Sequence, residues 1–448
     1  MGARSRAGPR YHQLAMTLTQ NNFLAKLAVT VAVFTAALAT FLLVNHGSGP
    51  TSGDAGGVSV PPNASTDARI AAYQQLVRSH PTDSRGYDFL GGAYMQKVRE
   101  TGDASFYTRA DGVFSRALQL NPRDPAAVTG AGTLALSRHD FAAGLRYGQR
   151  AHQLAPFSFE PLGVMVDAQV ELGRYADAEK SLQAMSDLHP TLSSYARVSY
   201  FRELHGDLAG AISAMKLAVS AGGGVPENVA YVQTLLGNLY FEVGRLNDAR
   251  DAYGNALESF PRYVPAIAGV ANIDAAHGKF ASAIRRYRGA IARLPLPQYV
   301  VALGELQQAA GKRPDYDLVR AEERLLQANG VNTDVDLALF EANHGSPAKA
   351  VSLARRAWAE APSVRSADAL GWALTSAGRP AQGLRWARRA LALGSRDPLF
   401  LYHAGMSAKA AGRAAIARAY LSKSLALNPR FSPLYAPRAQ RALKELGS

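Results

Sequence analysis

Four histidines, His139, His205, His277 and His344, are the residues whose spacing first suggests chemistry. Imidazole nitrogens bind zinc, but a metal site needs its ligands within a few ångström of one ion. These four stand 66, 72 and 67 residues apart along the chain. With stacked helices they would lie on the order of 20 Å from one another and could not share an ion. Three of them directly precede a glycine, a position expected at the end of a helix, where imidazole is favoured by the helix dipole and caps carbonyls. The chain has no cysteine, which excludes disulfides, thiolate metal sites and cysteine nucleophiles together. No GxxxxGK[ST] loop, HExxH site, GxSxG elbow or GxGxxG turn occurs. The residues therefore assign no catalytic group, no cofactor, no metal and no small-molecule substrate; an enzymatic role would need a partner subunit to supply the chemistry.

What the chain does carry is a rhythm. The stretch EVGRLNDARDAYGNALESFP (242–261) is answered 34 positions on by AHGKFASAIRRYRGAIARLP and 71 positions back by ELGRYADAEKSLQAMSDLHP. Gly244, Gly278, Gly311, Gly345, Gly378 and Gly412 follow one another at intervals of 33 or 34, and Pro122, Pro156 and Pro190 at 34. Glycine suits a left-handed turn after a first helix, and proline ends a second helix. Ala249 and Ala256, Ala283 and Ala290, and Ala350 and Ala357 are each seven apart, on one helical face, where small side chains let helices approach.

The register of Leu236-Gly237, Tyr240, Ala249, Tyr253, Ala256 and Pro261 resembles the tetratricopeptide repeat, a 34-residue helix–turn–helix unit. The resemblance implies an all-α fold, a right-handed superhelical solenoid of about ten repeats, with a concave groove lined by the first helix of each pair. The family holds peptides or partner subunits in that groove. Its inner-surface position lies six residues before each turn glycine, which here gives Asp167, Tyr200, Asn238, Asn272, Glu305, Leu339, Trp372 and Met406. Asn238 and Asn272 are similar to the asparagine ladder by which some members grip a peptide backbone; otherwise they are two unconnected polar residues. The change from polar to apolar along the series suggests two contact zones. Some copies depart from the pattern. An insertion in MQKVRETGDASFYTR is expected to lengthen the first turn, Gly222-Gly223-Gly224 to add slack, and the copy around 311–330 to loosen the superhelix.

Charge is uneven. From residue 349 to the end there are 17 Lys and Arg against four acids, a net of +13, whereas residues 67–348 carry 28 against 30. Arg385, Arg388, Arg389, Arg413 and Arg418 form the candidate basic patch, either an anion-binding module for an envelope polymer or surface, or an ordinary solvated face.

The N-terminus has its own signal. Residues 27–44 hold no charge, and a helix of that length spans about 27 Å. Arg4, Arg6, Arg10 and Lys26 precede it, with no Lys or Arg after it until Arg69. The positive-inside rule places a basic tail, 1–22, in the cytoplasm, a transmembrane helix at 23–44 and everything beyond it outside. The alternative is a cleavable signal peptide, whose apolar core is usually shorter. Residues 45–66 read as a Gly/Ser/Pro tether, and 67–448 as the repeat array, with cap helices at 67–81 and 439–446. The expected role is a membrane-anchored scaffold for a protein or peptide. Nucleic acid is not an expected partner on that topology.

Overall fold

The computed structural model of the chain describes residues 60–61, 64–223 and 225–447. The apolar run at 23–44 and the tail before it lie outside the described residues. Among the described residues every regular element is an α-helix, and none is long and apolar enough to cross a membrane.

A lone helix, α1 (Thr66–Ser79), precedes ten hairpins. They are α2 (Ser84–Thr101) with α3 (Ser105–Leu120), α4 (Pro125–Ser137) with α5 (Phe141–Leu154), α6 (Glu160–Glu171) with α7 (Tyr175–Leu188), and α8 (Leu192–Leu204) with α9 (Leu208–Ala221). Next come α10 (Pro226–Glu242) with α11 (Leu246–Ser259), α12 (Val264–Ala276) with α13 (Phe280–Ile291), and α14 (Pro297–Ala309) with α15 (Asp317–Ala328). The last three are α16 (Asp334–His344) with α17 (Pro347–Glu360), α18 (Val364–Ser376) with α19 (Pro380–Ala390), and α20 (Pro398–Ala410) with α21 (Ala414–Leu427). A closing helix, α22 (Tyr435–Gly447), follows.

Local signals set the boundaries. Asp124, Asp207 and Asp397 cap helix starts by accepting from backbone N–H groups in the first turn. Proline opens several first helices, where its missing N–H costs nothing. The turn glycines take positive φ, for example 74° at Gly244 and 73° at Gly278. Two copies depart. His139 stands in the glycine's place at φ 60°, and Gly345 has φ −137°. At Gly345 the following Ser346-Pro347 starts α17 by a different route, with Ser346 capping Lys349.

The repeated small residues make room for aromatic wedges. Tyr253 of α11 presses on α10 and α12 together; a Cβ on Gly237 or Gly269 would meet its ring at 2.5 or 2.4 Å. Phe114 of α3 does the same at Gly91 and Gly130. Ala249, Ala256, Ala283, Ala290 and Ala350 are fully buried. One ring of about full burial thus ties three helices, which is why glycine and alanine positions persist while solvent-facing ones drift.

Two sequence expectations are settled here, one of them as a correction. The insertion in the first copy extends helix α2 to 18 residues rather than lengthening the turn, and moves the left-handed cap to Gly102 at φ 70°. The run KVRETG has good helix formers and no breaker before its glycine, so the extra turn stays helical. The copy containing α14 and α15 is looser, as read: these two helices touch each other less than those of any other hairpin among the described residues. First helices of consecutive hairpins touch one another, as α4 does α6 and α18 does α20, whereas second helices make no comparable contact with each other. The first helices therefore line the inside of the coil and the second helices splay on the outside.

The coil closes on itself. The hairpin turns of four successive copies dock against the links between copies roughly five and a half repeats later. Asn332 N–H donates to Arg138 carbonyl at 3.0 Å. Val364 N–H donates to the Tyr175 hydroxyl at 2.8 Å, across 189 residues of sequence. Gly206 lies against Gly394, and Asn428 Nδ2 donates to Phe241 carbonyl at 2.6 Å. Neighbouring superhelical turns thus meet along a seam that carries hydrogen bonds and half-buried carboxyls beside small apolar clusters, one of which joins Val170 and Leu204 to Val364.

Candidate functional site: the inner face and the seam

The expected groove residues meet different fates because the coil is narrow. Asp167 is buried and forms a two-point ion pair with Arg197, Nε to Oδ1 at 2.9 Å and Nη2 to Oδ2 at 2.7 Å. Arg197 is 1% exposed and also donates to Ser193. Burial holds the Asp167 carboxyl above its usual value, with Arg197 opposing the rise. Asp167 therefore holds α6 to α8 and presents nothing to a partner, which corrects its assignment to a free groove surface. Tyr200 is likewise half-buried, with Glu171 and Arg365 as its charged neighbours, the latter arriving from α18 across the seam.

Glu305 accepts from His344 Nε2 at 3.0 Å and from the Tyr435 hydroxyl of α22, 130 residues on. At the other end of the array Glu227 of α10 is reached by Gln96 and by Arg99, the latter at 3.5 Å. Inner faces nearly four repeats apart therefore touch, so the interior is partly filled by the chain's own side chains. Trp372 stacks on His403 with centroids 4.4 Å apart and donates to Asn343 at 2.8 Å. Trp372 and Met406 pack against the cluster around Leu434 and Tyr435, and Leu339 against the core of α16 to α18. Their apolar character thus has a structural use, the seating of α22 and of neighbouring hairpins, rather than a second contact zone.

Asn238 and Asn272 are different. Tyr253 donates its hydroxyl to Asn238 Oδ1 at 2.8 Å, and Tyr287 does the same to Asn272 Oδ1 at 2.5 Å. The same fixture, a core tyrosine 15 residues downstream, sets both amides. Each oxygen is occupied, and among the described residues no partner takes the amide nitrogens, so what the pair offers is a row of donors. Asn238 is exposed and Asn272 half-buried.

The histidines divide in two. His205 and His277 hydrogen-bond through Nδ1 with the carbonyls four residues back, both at 2.8 Å, which is the capping geometry. His139 instead meets Asn332 carbonyl across the seam, and His344 meets Glu305 of the preceding hairpin's first helix. A small cavity of about 40 Å³ lies at the seam beside His139, lined by Glu171, Asp336, Glu360 and Arg365 among others. Of the basic candidates, Arg385, Arg388, Arg389, Arg413 and Arg418 are all exposed; Arg389 lies over Trp358 at 4.4 Å, and Arg418 donates to Leu446 carbonyl at 2.6 Å.

Sequence reasoning missed the seam, and with it Arg365, Glu203, Glu242 and Asp397. Burial pushes Glu203 up to about 8, Asp397 adds to the rise, and Arg365 opposes it. Glu242 is held well above the usual carboxyl value by burial, then by Glu203 and Asp397, with Arg396 opposing. Asp397 is raised by burial while its caps to Phe400 and Leu399 lower it. A carboxyl raised on folding contributes stability fully below its unfolded value near 4.5 and loses it as pH rises through the folded value, here about 8 for Glu203. Asp88, raised to about 7, and Glu322, raised to about 8, act in the same direction elsewhere. His139 is held below 6.5 chiefly by burial, so its contribution is complete above 6.5 and lost as pH falls. The thermal midpoint of the full chain should therefore peak between about pH 4.5 and 6.5, falling below that as His139 takes up its proton and above it as the raised carboxyls ionise. Glu203→Gln should flatten the decline in thermal midpoint between about pH 5 and 8, as read by circular dichroism melts; an unchanged decline removes Glu203 from the seam's proton balance.

Fold and inner face together define an all-α solenoid of repeated helical hairpins. No family model matches the chain, and no curated protein matches it. Among solved structures it is similar to a thermophilic tetratricopeptide protein, TTC0263 of Thermus thermophilus, at 22% identity over 45% of this chain and 99% of that one, with a TM-score of 0.37. It is also similar to the Cut9 and Hcn1 hetero-tetramer of the APC/C, at 16% identity over 86% and 84%, TM-score 0.39. A third is YrrB, described as having an unusual peptide-binding site, at 16% identity over 44% and 97%, TM-score 0.28.

Proposed function

We propose that the chain is a scaffold that binds a protein partner through the inner face of α10 and α12, and that it is carried on a membrane by residues 23–44. The observation that carries the first part is the repeated fixture at Asn238 and Asn272. Two amides are oriented alike in successive repeats, each with its acceptor occupied and its donors free, as a backbone-gripping surface requires. The absence of any catalytic motif fits a binding role. The anchor rests on the uncharged run at 27–44 and the basic residues before it. On that topology the repeat array lies outside the cytoplasm, where it would assist assembly of a complex.

A photo-crosslinking residue at Asn238 in the full chain, expressed in cells, tests this reading. One defined adduct is expected, lost when Asn272→Ala is added, with the protein recovered in the membrane fraction after alkaline extraction. Adducts that persist unchanged with Asn272→Ala sink the ladder, and extraction into the soluble fraction sinks the anchor.

A further inference from the structure

The inner face is largely committed to internal contacts, which directs attention to the outside of the coil. The last three second helices, α17, α19 and α21, carry the excess positive charge in register. Ten and eleven residues after Gly345, Gly378 and Gly412 stand Arg355 and Arg356, Arg388 and Arg389, and Ser422 and Lys423. Arg385 extends the row on α19. All of these side chains are exposed.

The acids that could neutralise them are spent elsewhere. Glu360 accepts from Asn332, and Asp397 caps α20. Asp368 is buried against His403 at 2.9 Å, and Glu445 pairs with Lys409. Arg356 is held by Asp334 at 2.8 Å, which fixes one cation of the row in place. Among the described residues Arg355, Arg385, Arg388 and Lys423 have neither ion pair nor side-chain hydrogen bond. A field of this kind concentrated on one ridge attracts a polyanion.

The apolar surroundings narrow the kind of polyanion. Trp358 and Trp386 pack edge to face at 4.7 Å, Arg389 lies over both, and both are half-buried against the core of α16 to α18, so neither stands out as an open stacking platform. The exposed large apolar side chains among the described residues are Phe157, Leu188, Leu217 and Phe260, all outside this region. Stacking of nucleobases needs open aromatic faces, and peptide docking needs apolar pockets; the ridge has neither. The three helices splay on the outside of a tight coil, so the cations follow a curve that a flexible chain can track and a flat bilayer meets only in part. Guanidinium forks suit phosphate oxygens.

We propose that the outer ridge of α17, α19 and α21 binds a linear, base-free phosphate polymer. This reading does not depend on the groove, which lies on the opposite face. The test uses the full chain in neutral detergent and fluorescently labelled inorganic polyphosphate, followed by anisotropy from 50 to 200 mM salt. Binding should weaken at least tenfold across that range as counterions are no longer released with gain. The triple variant Arg385→Glu, Arg388→Glu and Lys423→Glu should lose at least thirtyfold in affinity. A control of equal charge change on the second helices of earlier copies, Lys180→Glu, Lys216→Glu and Arg250→Glu, should lose less than threefold. All six positions are exposed, and matching thermal melts establish that the variants fold. Equal losses in both variants would reduce the effect to net charge and overturn the assignment to the ridge. So would salt-insensitive binding, or tighter binding of single-stranded RNA or of anionic phospholipid vesicles than of polyphosphate.

Discussion

Asp167→Ala should destabilise the full chain by about 3–5 kcal/mol, the range for removing one partner of a buried ion pair. The reason is the residue left behind. Arg197 is 1% exposed, and two of its nitrogens, Nε and Nη2, are directed at the Asp167 carboxylate. Without that carboxylate a guanidinium remains in the interior with its two-point anionic partner gone, although it keeps its bonds to Ser193. Replacing both partners by apolar residues of similar size, Asp167→Leu with Arg197→Met, should recover stability to within about 1–2 kcal/mol of the natural chain. Urea unfolding followed by circular dichroism reads both. If Asp167→Ala leaves the unfolding curve in place and instead weakens partner capture, the pair is not the structural device described, and Asp167 returns to the groove.

That prediction also marks where sequence and structure part. The turn glycines, the alanine pairs and the closing prolines are local demands of one packing unit, repeated, so a period of 34 makes them legible. Asn238 and Asn272 were legible for the same reason, since both sit at one register position. Asp167 occupies that register too, yet it is buried, because its fate depends on Arg197 in the next hairpin and on how tightly the coil winds. Superhelical pitch is the sum of small rotations at every interface, and no single residue declares it. The contacts it creates, Arg365 with Tyr200 or Tyr435 with Glu305, join residues 165 and 130 apart that no repeat relates. The seam charges were invisible on the same ground. Asp397 caps α20 just before Pro398, a local role; its second role, facing Glu203 and Glu242, arises only when the coil closes.

The turn glycines supply a graded test of that closure, because the fold contains its own controls. Gly173, Gly206, Gly278 and Gly412 all have φ between 68° and 77°. A left-handed alanine costs about 1–2 kcal/mol at any of them. At Gly278 and Gly412 a Cβ would meet nothing within 4 Å, so that is the whole effect. At Gly173 it would stand 2.3 Å from Pro362 carbonyl, and at Gly206 2.2 Å from Gly394 carbonyl. Neither neighbour is a flexible side chain; both are backbone of the next superhelical turn, so the seam must part. Overpacking of this kind adds about 1–3 kcal/mol. Gly244 is intermediate, with Leu427 carbonyl at 3.0 Å. Alanine scanning of the five sites should therefore rank Gly206 and Gly173 first, Gly244 next, and Gly278 with Gly412 last in loss of urea midpoint. Small-angle scattering should show a larger radius of gyration for the first two only, because the steric effect acts between turns and the conformational one within a hairpin. Five equal losses with unchanged dimensions would mean that the turns do not touch in solution, and the polar seam, its carboxyls and their pH response would go with them.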